Sequence, residues 1–190
     1  MVNRSAVPPL EPALCSCLLN YPAQTGLLEG RMSLQKFSGG LMAKKPSVEE
    51  ARLILELYDL RREPEMRKAR QWWLTAFWPA SADDFMKVVM DFGSQENNWL
   101  RQVGSYWGMA TTFVLNGIIS EKLFFEPAFC GELYFMFAKV RPFLKEIREK
   151  AKNPNLFLLS EKAIYGSKLG RAQFEKVEAR VNMLRPKPGA

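Results

Sequence analysis

Gln95-Glu-Asn-Asn-Trp-Leu-Arg-Gln-Val-Gly-Ser-Tyr-Trp-Gly-Met-Ala-Thr-Thr-Phe-Val-Leu115 decides the fold class. Trp99, Val103, Trp107, Ala110 and Val114 recur at steps of three and four, the period of one helix face. A turn built around Gly93 precedes the stretch. Asn116-Gly117 ends it, because glycine takes the left-handed conformation beyond a helix end at no steric cost. The spacing therefore predicts a helix over roughly residues 95–115. Residues 102–120 carry no charge and are the best candidate for a membrane span, which needs about twenty apolar residues. They also hold Gln102, Ser105, Thr111, Thr112, Asn116 and three glycines, so we read the stretch as the central buried helix of a soluble domain. Gly104 and Gly108 form a G-x-x-x-G, the small-residue spacing that lets helices approach.

Outward from this helix, capped helices follow one another. Ser47-Val48-Glu49-Glu50 is a capping box. It opens a helix to about Arg62 with Ala51, Ile54, Leu55 and Tyr58 expected on the inner face. Pro64 opens a second, where proline is tolerated in the first turn, with Met66, Ala69, Trp73 and Phe77 as its stripe. Ser81 caps a third, with Phe85, Val88 and Val89 inward. After a short turn from Ser120 to Phe125, Pro127 begins a helix to Lys139, and Pro142 must kink or break it. The segment runs on to about Lys152, and a short helix is expected over 156–165. Arg171 to Leu184 is the last, with Phe174, Val177, Val181 and Leu184 inward. No run shows the two-residue alternation of strands. The expectation is an all-α domain, a compact bundle of six to eight helices over residues 47–184, with 185–190 as a tail.

Residues 1–46 differ. They hold Pro8, Pro9, Pro12, Pro22 and Pro46 with Gly26, Gly30, Gly39 and Gly40 and show no helical period, so they read as a disordered or loosely attached leader. Met42-Ala43-Lys44-Lys45 looks like a translation start, with Met32 as a second, which would place residues 1–41 outside the natural protein. The prolines and Glu11 interrupt any signal-peptide core. Leu14-Cys15-Ser16-Cys17 lacks the apolar segment a lipoprotein box needs. Cys15, Cys17 and Cys130 lack metal-ligand spacing and read as free thiols of a reducing, cytoplasmic setting.

The chain of 190 residues has 47% apolar and 12% aromatic residues, enough for a packed core, and a net charge of +7. The leader supplies much of that charge, with Arg4, Arg31, Lys36, Lys44 and Lys45 against Glu11 and Glu29. There is no histidine. That removes Ser-His-Asp and Cys-His catalysis, His-ligated metal or haem, and an imidazole switch.

No remaining pattern names a reaction. Arg61, Arg62, Arg67, Lys68 and Arg70, followed by Trp72, Trp73 and Trp78, form a possible basic contact face that would track phosphates and stack bases. Trp73 lies on the inner stripe, and Glu63 and Glu65 dilute the charge. Asp83 and Asp84 are adjacent, diverge on a helix and suit its first turn. Gly104, Gly108, Gly166 and Gly170, with Ser167 and Lys168, make no phosphate loop, since no strand precedes them. Arg101 and Arg141 sit in or beside aromatic-rich apolar segments and are expected to pair with Glu132 or Asp84. Tyr106 and Trp107 are placed to line a pocket beside Gly104 and Gly108, or to pack the core.

Three stretches carry a resemblance: Leu57-Tyr-Asp-Leu-Arg-Arg-Glu-Pro-Glu-Met-Arg-Lys-Ala-Arg70; Leu100-Arg-Gln-Val-Gly-Ser-Tyr-Trp-Gly-Met109 with Asn116-Gly117; and Ala138-Lys-Val-Arg-Pro-Phe-Leu-Lys-Glu-Ile-Arg148. Over about residues 50–150 the chain resembles a family of small bacterial helical proteins classed as a domain of unknown function. The resemblance implies a helical fold and carries over no activity, cofactor or site residue. The expected role is a non-enzymatic binding or scaffolding protein acting through helix faces on a protein partner or a second copy, with no metal or cofactor. Two alternatives stay open: a nucleic-acid-associated protein using the Arg61–Arg70 face, and a histidine-independent enzyme.

Overall fold

Ser47 begins the first helix as a capping residue, its hydroxyl accepting the Glu50 amide at 3.1 Å. The computed structural model describes residues 46–186. The leader up to residue 45, with Cys15, Cys17, Met32 and Met42, lies outside the described residues, as do the last four. The same local chemistry starts most helices. A side-chain oxygen takes an amide of the first turn from Ser47 for α1 (Val48–Leu60), Glu63 for α2 (Pro64–Gln71), Ser81 for α3 (Ala82–Met90) and Ser94 for α4 (Gln95–Leu115). Each such bond satisfies an amide that the helix itself leaves orphaned. The single turn α5 (Glu121–Phe124) leads to α6 (Pro127–Val140), and a 3₁₀ turn at Arg141–Phe143 separates it from α7 (Leu144–Lys150), at the predicted Pro142 break. α8 (Leu158–Gly166) and α9 (Lys168–Leu184), capped by Ser167, complete the fold. Among the described residues there is no strand, and eight helices exceed a single turn.

Long-range packing is arranged around α4 and α6. α4 carries α2, α3 and α8; α6 lies along α9; α3 also meets α7, and α1 rests on α5. One apolar cluster runs from Leu57 to Val181. Its stripes follow the predicted periods in α2 and the turn that continues it (Met66, Ala69, then Trp73 and Phe77) and in α4 (Val103, Trp107, Ala110, Val114). In α9, Phe174 and Val181 are fully buried but Leu184 is exposed, because the helix runs past the core at its end.

α1 departs from expectation. Ala51, Leu55 and Tyr58 face solvent, Ile54 is half-buried, and the residue driven into the core is Leu57. Leu53, Ile54 and Leu57 turn to the core, so the covered side of the helix is rotated by roughly a quarter turn from the expected one. Among the described residues no helix is long and apolar enough to cross a membrane.

Candidate functional site

α6 is apolar along its length apart from Glu132 and Lys139, and both charges are buried. Burying a charge is unfavourable unless it is bonded on every side, so the neighbours of these two residues define the polar interior.

Glu132 collects the inward-turned basic residues. Its Oε2 accepts Arg70 Nε at 2.7 Å and lies 3.6 Å from the Arg61 guanidinium, while Oε1 accepts Trp107 Nε1 at 3.0 Å. Arg61, 5% exposed, also donates to the Phe129 carbonyl at 2.8 Å and lies over the Tyr58, Trp107 and Phe129 rings. Arg70 reaches the Arg61 carbonyl, and Tyr106 donates its hydroxyl to the Leu57 carbonyl at 2.9 Å. Burial pushes the Tyr106 phenol up to about 12, so it stays a donor. Together these bonds fasten α1, α2, α4 and α6.

The five basic residues singled out in sequence are therefore divided. Arg61 and Arg70 turn inward to one carboxylate. Arg62 stays on the surface beside Asp59, and Lys68 is bonded to Glu65 at 2.6 Å. Arg67 is exposed. Trp73 is fully buried, and Trp72 stacks on Phe77 with centroids 4.5 Å apart.

Lys139 occupies a second polar centre that sequence reasoning missed. Its Nζ donates to the carbonyls of Trp73 at 2.6 Å, Leu74 at 3.2 Å and Phe77 at 2.8 Å. These carbonyls belong to a π-helical turn, Trp72–Ala76, and the residue after it. Such a turn leaves acceptors without helical partners, and the three N–H bonds of an ammonium supply them. The Trp78 ring lies 3.8 Å from Nζ, and Phe135 lies 4.8 Å away. Burial, with Arg185 nearby, lowers the Lys139 pKa to about 7. Arg185 closes the same corner through the carbonyls of Pro79 and Lys139.

Arg101 and Arg141 do not take the partners expected of them. Arg141 pairs with Glu178, and Arg101 is exposed with no carboxylate among the described residues. Glu132 is already engaged, and Asp84 caps α3 against the Ala80 amide. Asp83 points elsewhere, to Lys150.

Two open surfaces stand out among the described residues. Between α4 and residues 155–160 lies an apolar cavity of about 80 Å³, bordered by Gly104 and Gly108 on α4. A Cβ at either glycine would meet nothing within 4 Å. The G-x-x-x-G thus borders open space and makes no close helix contact. Tyr106 and Trp107 do not line this cavity; they face Arg61 and Glu132. The other surface is the outer side of α1, where Val48 and Leu55 are each 67% exposed and Tyr58 is 50% exposed. Cys130 is buried, and burial holds its thiol up at about 12, so it is not a nucleophile. No group of acidic or cysteine residues able to hold a metal occurs among the described residues.

The fold and its buried ionic centres define an all-α helical domain with charged groups held in its interior. The chain belongs to the family described as Domain of unknown function (DUF4760), whose profile matches residues 46–165. None of the curated proteins and none of the solved structures matches it.

Proposed function

We propose that this is a bacterial, cytoplasmic, non-enzymatic binding or scaffolding protein that works through a helix face, with α1 as the contact helix. The observation that carries the reading is the exposed stripe Val48, Ala51, Leu55 and Tyr58. Steps of three, four and three place these residues on one side of α1, the seam by which helices pair. Leu57, on the opposite side, is buried. The Glu50 carboxylate holds the Ser120 amide at 3.1 Å, and Tyr106 and Arg61 fasten the carboxyl-terminal half. The stripe is thus presented in a fixed orientation.

Glu49, Glu56 and Asp59 border it, with Arg52 as a cation on the same flank. A second copy laid antiparallel would set this acidic rim against itself, so the better partner is an amphipathic helix with basic flanks.

Nucleic-acid binding fits less well. Arg61 and Arg70 are spent on Glu132, and Lys68 and Arg62 have acidic neighbours.

A photo-crosslinking residue at position 55, compared in cells with one at the exposed Met90, tests the proposal. The expected result is an adduct from position 55 alone, joined to a basic amphipathic segment of another protein. An adduct between two copies would correct the partner, and no adduct from position 55 would overturn the reading. Steeply salt-dependent binding to DNA or RNA would establish the rival.

A further inference from the structure

The outer side of α9 carries charge that the fold does not use. α6 and α8 cover one side of this helix, where Gly170, Phe174 and Val181 are buried. A helix turns about 100° per residue, so Lys168, Ala172, Lys176, Ala179 and Met183 share the opposite side, with Leu169 and Arg180 at its edge. All of these are exposed. Lys168, Lys176 and Arg180 have no carboxylate partner among the described residues. Arg171, on the other flank, donates to the Tyr165 carbonyl at 2.7 Å. Against these four cations the same side offers Glu175, since Glu178 is taken by Arg141. On α7, by contrast, Lys145 is answered by Glu149, Arg148 by Glu161 and Lys150 by Asp83.

Apolar side chains stand among the α9 cations. Met183 is 84% exposed, Leu184 52% and Leu169 38%, although water is an unfavourable setting for such groups. They lie at the two ends of the helix, about 21 Å apart, with alanines between, so they form no continuous seam for a partner helix. Phe174, the one ring of α9, faces inward, so the outer side has nothing on which a base can stack. Cations interleaved with separated aliphatic tips fit a fluid anionic surface instead. Phosphate headgroups take the charges, the acyl boundary takes the tips, and the long Lys and Arg stems reach between the two. Among the described residues no helix is long and apolar enough to cross a bilayer, so the contact lies in the surface plane.

We propose that the outer side of α9 docks the protein on an anionic phospholipid membrane, with the helix lying along the headgroups. The residues are distinct from the α1 stripe, so neither proposal depends on the other.

The test is co-sedimentation of the full chain with vesicles of phosphatidylcholine alone, and of phosphatidylcholine and phosphatidylglycerol in equal parts. Binding is expected to the anionic vesicles only, and to fall steeply as salt is added. Each cation near such a surface contributes about fivefold, so Lys176→Gln with Arg180→Gln should weaken binding about 25-fold. Lys145→Gln with Lys152→Gln removes the same charge from α7 and should leave binding within about twofold of the parent. Met183→Ser with Leu184→Ser should weaken it several-fold at every salt concentration, as loss of an apolar contact does. All six positions are exposed, and thermal melts show that each variant keeps its fold. The proposal is overturned if no binding to anionic vesicles appears at low salt, or if the α7 pair loses as much as the α9 pair. It is also overturned if the serine pair binds as the parent does, a pattern that would assign the face to a purely ionic partner such as a nucleic acid.

Discussion

Glu132 carries one negative charge that two guanidinium groups share, while an indole N–H takes the oxygen they leave. Glu132→Gln keeps the shape and the Trp107 bond but removes the charge, stranding Arg61 among aromatic rings. Breaking a buried pair in this way costs about 3 to 5 kcal/mol. Urea unfolding should show that loss, whereas Arg62→Gln on the surface should stay within about 0.5 kcal/mol of the parent. Lys139 makes stability depend on pH. Its pKa falls to about 7 in the fold, from an ordinary value of 10.5. Above pH 7 the folded protein releases this proton while the unfolded chain still holds it. Stability should therefore rise between pH 7 and 9, by up to about 1.4 kcal/mol per pH unit. Comparing urea midpoints of the parent and Lys139→Met across that range checks the sign, since the variant should lose the slope. The basic run from Arg61 to Arg70 was legible as charge but not as direction. Glu132, which draws Arg70 inward, lies 62 residues away in sequence. A signal was nonetheless present: Glu132 and Lys139 are the lone charges in an otherwise apolar helix.

At the scale of the element, caps and breaks were readable because their chemistry is local. Ser47, Ser81 and Ser94 each bond an amide three residues on, and Pro142 falls in the turn that divides α6 from α7. The direction of α1 was not readable, because a period defines a face without saying which neighbour covers it. α7 ends in a way the sequence concealed. Lys152 adopts φ 49°, with its amide bonded to the Glu149 carbonyl at 3.1 Å and the Asn153 amide bonded to Arg148 at 3.0 Å. That pair of bonds closes a helix in the left-handed conformation that glycine favours. Lys152 is exposed, so Lys152→Gly removes steric strain and little packing. It should stabilise the protein by about 1 kcal/mol, seen as a higher thermal midpoint.

Across the whole molecule, the family match stops at residue 165 while the core does not. Phe174 and Val181 are fully buried, and Phe174 meets the rings of Tyr134, Phe137 and Tyr165. Gly170 admits the close approach of α9, since a Cβ there would lie 2.9 Å from the Ile164 carbonyl oxygen and 3.0 Å from the Phe125 ring. A chain ended after Gly166 would uncover α6 and lose several kcal/mol of apolar burial, comparable to the total stability of a domain. Its circular dichroism melt should be broad and uncooperative beside that of the full chain. The Lys139 pocket has one more consequence. Its amine is sealed in the native protein, whereas Lys87, Lys145 and Lys152 stand in solvent. Under a limiting dose of an amine-acylating reagent, mass spectrometry of peptides should find the surface lysines tagged early and Lys139 only when the core opens. The residue is thus a native clock for global unfolding, read without any engineered label.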